Sequence, residues 1–544
     1  MSIRHAAFVL SFACLFATAG PRAEERVDDE AGWAIRQEAT ERSRILQTLH
    51  MLTDVHGPRL TGSPQLRAAG EWAASQLTAW GLANAALEPW SFGHPGWTNE
   101  RVAGFIVAPV QDTLTCEAVA WTPGTNGAVA GTVVQVVPPD RPTDEEMAAW
   151  LASVTGRAKG RMVLIGKGTP APVSFNPVAK RREDADVRAQ YDPVNPAPSP
   201  FAQPPAPAAQ EGPKRLDANE VSRRVDGWLV GEGALVRIND GGRAHGQIRA
   251  FNNRTFDVSK AVPTVVLRNE DFGRISRLVG GGREVTLEFT IVNRTHPEGA
   301  TSYNVVAEIH GSDSADEIVM LGGHLDSWHA ATGATDNAIG VAVMMEAVRT
   351  IQAAGLRPRR TIRIALWGGE EQGLLGSKAY VEQHFGTFES PKPDFAKLVA
   401  YFNIDAGTGR ARGASVFGPP EAAAALRAAL TPFEDLGVLG TTAARSRRLG
   451  GSDHTSFNQA GLPGVGFGQD PIEYGTHTWH TNLDTYERIV PADAVKSAIA
   501  IAAAVYHVAT RDEALPRFTK DTMPAPPAPE EQAPAPVRPA AARR

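Results

Sequence analysis

Apolar and polar positions along this chain follow two different rhythms. From Tyr303 to Thr510, apolar runs read as strands at Asn304–Ile309, Glu317–Leu321, Thr361–Trp367 and Lys397–Ile404, with helical segments at Ala338–Thr350 and Gly373–His384 between them. The run Pro463–Phe467 predicts a further strand, and Pro491–Ala509 a closing helix with its proline placed early. Strands and helices in alternation imply a layered α/β sheet. Upstream, Ile45–Leu82 reads as helix, Gly/Pro-rich turn (His56–Pro64) and second helix, with Leu66, Ala69, Trp72 and Leu77 on its apolar face. From Cys116 to Asn293 the rhythm shortens to runs at Gly131–Val137, Arg161–Ile165, Val262–Leu267 and Val285–Val292, divided by turns, which is the texture of a β-rich module.

A chain of 544 residues that is 42% hydrophobic and 21% charged is neither wholly disordered nor a polytopic membrane protein. Its formal net charge of -6 argues against a nucleic-acid footprint. Of 40 prolines, eight fall within Pro193–Pro213 and seven within Pro524–Pro539. Proline continues neither a helix nor a central strand, so an exposed loop and a disordered C-terminal extension are expected there. At the N-terminus, Arg4 and His5 precede the apolar run Ala6–Phe16 and the small residues Ala17, Thr18 and Ala19, the order of a secretory signal. That run is far shorter than the roughly 20 residues that span a bilayer. Cleavage near Ala19 or Ala23, export to a periplasm or the medium, and no stable membrane insertion afterwards are expected. Cys14 leaves with the signal, so Cys116 has no internal disulfide partner and the mature protein depends on its core or on metals.

In open α/β sheets, ligands bind beyond the carboxyl ends of the strands. His324 and Asp326 follow the strand Glu317–Leu321, and Asp336 precedes a helix. Glu370 and Glu371 follow Thr361–Trp367, Asp405 follows Lys397–Ile404, and His480 lies in a loop after the last strand. Taken singly, such residues cap helices, face solvent or satisfy the core. Gathered at one sheet edge, two imidazoles and three or more carboxylates repel unless a cation joins them. Nitrogen and oxygen ligands without thiolate suit zinc, with manganese or cobalt as alternatives.

The set Gly323–Trp328 (His-Leu-Asp-Ser-Trp within it), Asp336-Asn337, Trp367–Gly373 (Glu-Glu-Gln-Gly), Asp405–Thr408 (Asp-Ala-Gly-Thr) and His480–Thr485 resembles the M28 family of co-catalytic zinc peptidases, and most of all its plasma glutamate carboxypeptidase branch. The resemblance covers roughly residues 300–510, with His56–Pro64 similar to the family's N-terminal segment. Gly160–Ile165 and Val262-Pro263 resemble a protease-associated (PA) insert. It implies an α/β, mixed-sheet zinc exopeptidase catalytic domain (aminopeptidase/carboxypeptidase-like) with a β-rich PA-like inserted domain. The expected organisation is a signal at 1–23, catalytic segments at 24–115 and 296–512, the insert at 116–295 and a Pro/Ala-rich tail at 513–544.

Carried onto this chain, the resemblance implies two zinc ions bridged by Asp336, with His324 and Asp405 completing one site and Glu371 and His480 the other. Glu370 becomes the general base, and Asp326 accepts the second imidazole N–H of His324. Asp484 supports the His480 loop or caps it. A cis peptide is implied at Asp336-Asn337. His477 is passed over for His480, because the His-Thr-x-x-Asp-Thr pattern starts at the latter. Asp453 and His454 shape the loop Ser452–Phe457. The family's oxyanion tyrosine falls at Leu449, with Tyr474 as its candidate substitute. The expected activity is hydrolysis of terminal bonds in short peptides, in a dipeptidase or carboxypeptidase manner. An aminopeptidase is the alternative, and a non-catalytic scaffold or a deacylating enzyme on the same fold stand behind it. The sequence assigns no oligomeric state.

Overall fold

The computed structural model describes residues 26–171, 173, 175, 180–196, 213–448 and 450–526. The signal segment, residues 197–212 of the Pro-rich stretch, Leu449 and the end of the tail lie outside the described residues.

Two mixed sheets of eight strands each make up the fold. Strand β1 (Ala83–Ser91) belongs to the first sheet. The chain then builds the second from β2 (Gly96–Ala108), β3 (Asp112–Leu114), β4 (Cys116–Ala118), β5 (Ala128–Val136), β6 (Met162–Ile165), β7 (Val236–Asp240), β8 (Thr264–Leu267) and β9 (Thr286–His296). It returns for β10 (Thr301–Ile309), β11 (Ser314–His324), β12 (Arg360–Trp367), β13 (Leu398–Ile404), β14 (Ala411–Phe417), β15 (Thr441–Ala444) and β16 (Gly464–Gln469).

The first sheet has the order β1-β10-β12-β11-β13-β16-β14-β15, and its central strands β12, β11, β13 and β16 run parallel. Their carboxyl ends therefore share one edge. Parallel strands are covered on both faces, and β13 is accordingly buried along its whole length. Along β11, Val319 and Leu321 join one core with helices Ile339–Ala353 and Pro491–Thr510, while Ile318 and Met320 join another with Tyr380, Phe385 and Phe457. That is the period-two alternation of a strand between two layers. Helix Pro491–Thr510 is long and apolar enough to cross a membrane, but most of it is buried against this sheet. The early helix Pro64–Ala79 starts where Ser63 Oγ accepts the Leu66 N–H at 3.2 Å, with Pro64 in its first turn.

The second sheet, in the order β3-β2-β9-β5-β6-β7-β8-β4, draws on strands from Gly96 to His296, a wider span than the shift in texture at Cys116 suggests. It is also less purely β than expected. Strands β5 to β8 run parallel, and parallel neighbours need crossovers. Helices Asp144–Val154 and Ala218–Glu232 lie in two of those connections, and Asn269–Gly280 leads from β8 to β9. Their dense charge conceals them from a search for apolar runs.

The tail also departs from expectation. After helix Pro491–Thr510, Leu515 and Phe518 are buried, with the Phe518 ring 5.1 Å from that of Phe417. The folded unit thus extends past residue 513. Phe518→Ala should lower unfolding free energy by about 3 kcal/mol in a denaturant titration, whereas ending the chain after Met523 should leave the midpoint unchanged.

Candidate active site

Each candidate residue is delivered by the end of a parallel strand or the turn after it. His324 is the last residue of β11 and fully buried. Glu370 and Glu371 sit in the turn after β12, and Asp405 immediately follows β13. Asp336 lies in an irregular turn before helix Ile339–Ala353, and His480 in the loop after β16. Two groups result, His324 with Asp336 and Asp405, and Asp336 with Glu371 and His480, each with ligand atoms within 4.8 Å of one another. Asp336 divides its oxygens between them. Its Oδ1 is 3.3 Å from His324 Nε2 and its Oδ2 is 3.2 Å from His480 Nε2. Asp405 Oδ1 lies 3.4 Å from His324 Nε2, and Glu371 Oε2 lies 2.8 Å from His480 Nε2.

The supporting contacts differ from the sequence reading in two places. His324 Nδ1 donates to the main-chain carbonyl of Asp326 at 3.0 Å, while the Asp326 carboxylate is 3.7 Å away. That carboxylate instead accepts the backbone N–H groups of Glu370 (3.1 Å) and Glu371 (3.2 Å) and the Thr61 hydroxyl (3.1 Å). Asp326 thus fixes the imidazole through its backbone and the glutamate turn through its side chain. A carbonyl only accepts, so Nδ1 carries a proton, and Nε2 is the nitrogen turned toward Asp336. Asp484, in turn, accepts from the N–H groups of Thr335 (2.6 Å) and Asp336 (3.1 Å), so it holds the Asp336 turn rather than its own loop. The Asp336-Asn337 peptide is cis.

Arg59 is a functional residue that sequence reasoning missed. Fully buried beneath the site, it donates to the carbonyls of Leu325 (2.7 Å), Leu52 (2.6 Å), Thr332 (2.8 Å) and Gly333 (3.0 Å), tying the β11 exit to the Asp336 turn. Burial lowers its pKa to about 10, still charged at neutrality. The only signal was its place in the turn His56–Pro64.

The second sheet supplies a wall. Phe251, from the connection between β7 and β8, meets the His480 ring edge-on at 5.6 Å and the Trp328 ring at 5.1 Å. Trp479 stacks on His480 at 4.0 Å. His480 itself has φ 59°, a left-handed conformation costing a non-glycine residue about 1–3 kcal/mol, of the kind that collects at functional sites. His477 belongs to neither ligand group and pairs with Thr476. Asp453 and His454 also stay outside the groups; burial raises the former to about 7 and lowers the latter to about 4. The Tyr474 phenol is pushed well up by burial and by the charges of Asp336 and Asp405.

The electrostatics favour a cation. His324 is raised well above the ordinary imidazole range, since Asp405 and Glu370 outweigh its burial, and His480 rises to about 9 because Glu371 and Asp336 do the same. Burial and Asp336 lift Glu371 to about 7, and burial with Asp405 and Glu371 lifts Glu370 well above the carboxylate range. A site that draws protons this strongly draws metal cations for the same reason. His324 Nε2, Asp336 Oδ2, Glu371 Oε1 and Asp405 Oδ1 are buried without a well-aligned hydrogen bond in the protein. These imidazole and carboxylate donors fit zinc.

Residues 304–505 match the model of Peptidase family M28. That segment of the chain is similar to the M28 peptidases. Carboxypeptidase Q of Mus musculus is 32% identical over 256 residues, 47% of this chain and 52% of that protein, so the match spans about half the relative's length. Carboxypeptidase Q of Bos taurus is 26% identical over 475 residues, 87% of each chain. Among solved structures, a Peptidase M28 precursor from Shewanella amazonensis SB2B is 25% identical with a TM-score of 0.64, covering 90% of this chain and 99% of its own. The zinc aminopeptidase BSAP from Bacillus subtilis shares the fold at 18% identity, with a TM-score of 0.54 and coverage of 88% and 98%. All the candidate ligands and their supports from Leu325 to Asp484 fall inside the matched segment 304–505, while Arg59 and Phe251 come from outside it.

Asp484→Ala leaves two buried N–H groups of the Asp336 turn without their acceptor. Zinc affinity measured by competition with a chromogenic chelator should fall about 10- to 100-fold, and an unchanged affinity would show that the turn holds itself.

Proposed function

We propose that this chain is an exported co-catalytic dizinc exopeptidase that hydrolyses terminal peptide bonds of short peptides in a dipeptidase or carboxypeptidase manner. The observation that carries the reading is Asp336, whose two carboxylate oxygens face two separate ligand groups. On this reading His324 and Asp405 complete one zinc site, and Glu371 and His480 the other. The likeness to proteins named carboxypeptidase Q supports the choice of substrate end. Export rests on the signal-like order of Arg4 to Ala19, and the second sheet is read as a PA-like insert that walls the site.

When bound, zinc would supply Lewis acidity, making water acidic and the scissile carbonyl electrophilic. Glu370 then takes a proton from the attacking water as the new C–O bond forms, and returns it to the leaving amine as the C–N bond breaks. Burial and the neighbouring Asp405 and Glu371 raise its carboxyl, bringing its proton affinity closer to what both transfers require. Asp326 sets the direction of that side chain by holding the Glu370 and Glu371 backbone N–H groups.

The test pairs metal content with turnover of a dipeptide set. Glu370→Gln should keep two zinc ions per chain while hydrolysis falls about 10²- to 10⁴-fold. Asp336→Ala should lose both ions and all activity. A Glu370→Gln protein retaining most of its rate removes the residue from the base role, and full occupancy in Asp336→Ala refutes the bridge.

A further inference from the structure

The connection between β7 and β8 contributes more than an apolar wall. It is fastened to the His480 loop by Asn482, whose Oδ1 accepts the Ile248 N–H at 2.8 Å, whose own N–H donates to the Ile248 carbonyl at 3.0 Å, and whose Nδ2 donates to the Gly246 carbonyl at 3.2 Å. This fixes the backbone immediately before Arg249. The Arg249 guanidinium lies 4.4 Å from the centre of the Trp479 ring, and its Nε donates to the Trp479 carbonyl at 3.2 Å. That ring stacks on His480. A cation is thereby held one aromatic ring away from a candidate ligand, and it experiences the Asp336 charge.

The remaining N–H groups of Arg249 distinguish it from its neighbours. Arg59 spends its guanidinium on four carbonyls, and Arg243 binds Gln247 Oε1 at 2.7 Å and the Thr476 carbonyl at 2.9 Å. Among the described residues, Arg249 has no carboxylate ion partner, and its terminal nitrogens make no hydrogen bond to the protein. A partly buried guanidinium without a counter-ion is unfavourable unless an anion arrives, and its planar fork matches a carboxylate at two points.

We infer that Arg249 reads the free α-carboxylate of the peptide substrate, and so makes this site specific for bonds next to a free carboxyl terminus. The assignment rests on the exopeptidase reading above and deepens it. The cluster at Asp336 would receive the scissile carbonyl, Arg249 the terminal carboxylate, and Phe251 and Trp328 an apolar flank. Arg249 is thus a residue that the second sheet contributes to selectivity.

The experiment compares zinc-loaded wild type and Arg249→Met on one dipeptide and its carboxyl-amidated form, with Arg249→Lys as a second variant. Wild type should favour the free acid by about 100-fold in kcat/KM. Arg249→Met should lose that factor on the acid, chiefly in KM, and stay within about threefold of wild type on the amide, while Arg249→Lys recovers part of the preference. An equal loss on both substrates, or a wild type indifferent to amidation, overturns the assignment while leaving the exopeptidase reading intact. If zinc-loaded wild type cleaves neither, the exopeptidase reading falls and the assignment falls with it.

Discussion

The arrangement of this molecule depends on one carboxylate answering to two imidazoles. Asp336 is almost fully buried, and burial alone would raise its pKa, but the His324 and His480 imidazoles beside its two oxygens pull it down. Three further carboxylates crowd it: Asp405 and Glu371 raise Glu370, Asp405 and Glu370 raise His324, and Glu371 raises His480. Such a concentration of like charge is stable only where backbone dipoles and fixed cations surround it. The N–H groups aimed at Asp326 and Asp484, and the carbonyl-caged Arg59, provide that frame.

The frame explains the architecture around it. Four parallel strands present their carboxyl ends along one edge, so residues far apart in sequence converge without long loops. Close approach at the edge also limits side chains. A Cβ on Gly333, which has φ 65°, would come within 2.3 Å of Ser327, and the Gly333 carbonyl is one of those holding Arg59. The second sheet approaches the same edge from outside through Phe251 and through Ile248, whose N–H Asn482 accepts, and so completes a site whose candidate ligands all belong to the first sheet's unit.

The strand-end logic made much of this legible beforehand. His324, Asp336, Glu371, Asp405 and His480 each sit at a strand exit or a turn the pattern reveals, and their ligand-type atoms come together in two groups, a division that the family resemblance, not the strand pattern, implies. The roles of their supports were harder to read. An Asp two residues from a His can serve it through either its carboxylate or its carbonyl, and spacing does not distinguish the two. Asp484 acts on Thr335 and Asp336, 149 and 148 residues away, and no local pattern encodes so distant a contact. Strand β14, Ala-Arg-Gly-Ala-Ser-Val-Phe, carries one branched aliphatic residue, Val416, where β13 has three. The crossover helices of the second sheet were hidden by their charges, and Arg249 by an irregular connection without periodicity.

The central claim is that Asp336 joins two metal ions. Anomalous diffraction at the zinc absorption edge, from crystals of the mature protein grown with zinc, addresses it directly. The account predicts two peaks flanking Asp336, one beside His324 and Asp405 and the other beside Glu371 and His480. A single peak, or none at these residues with zinc present in solution, would contradict it.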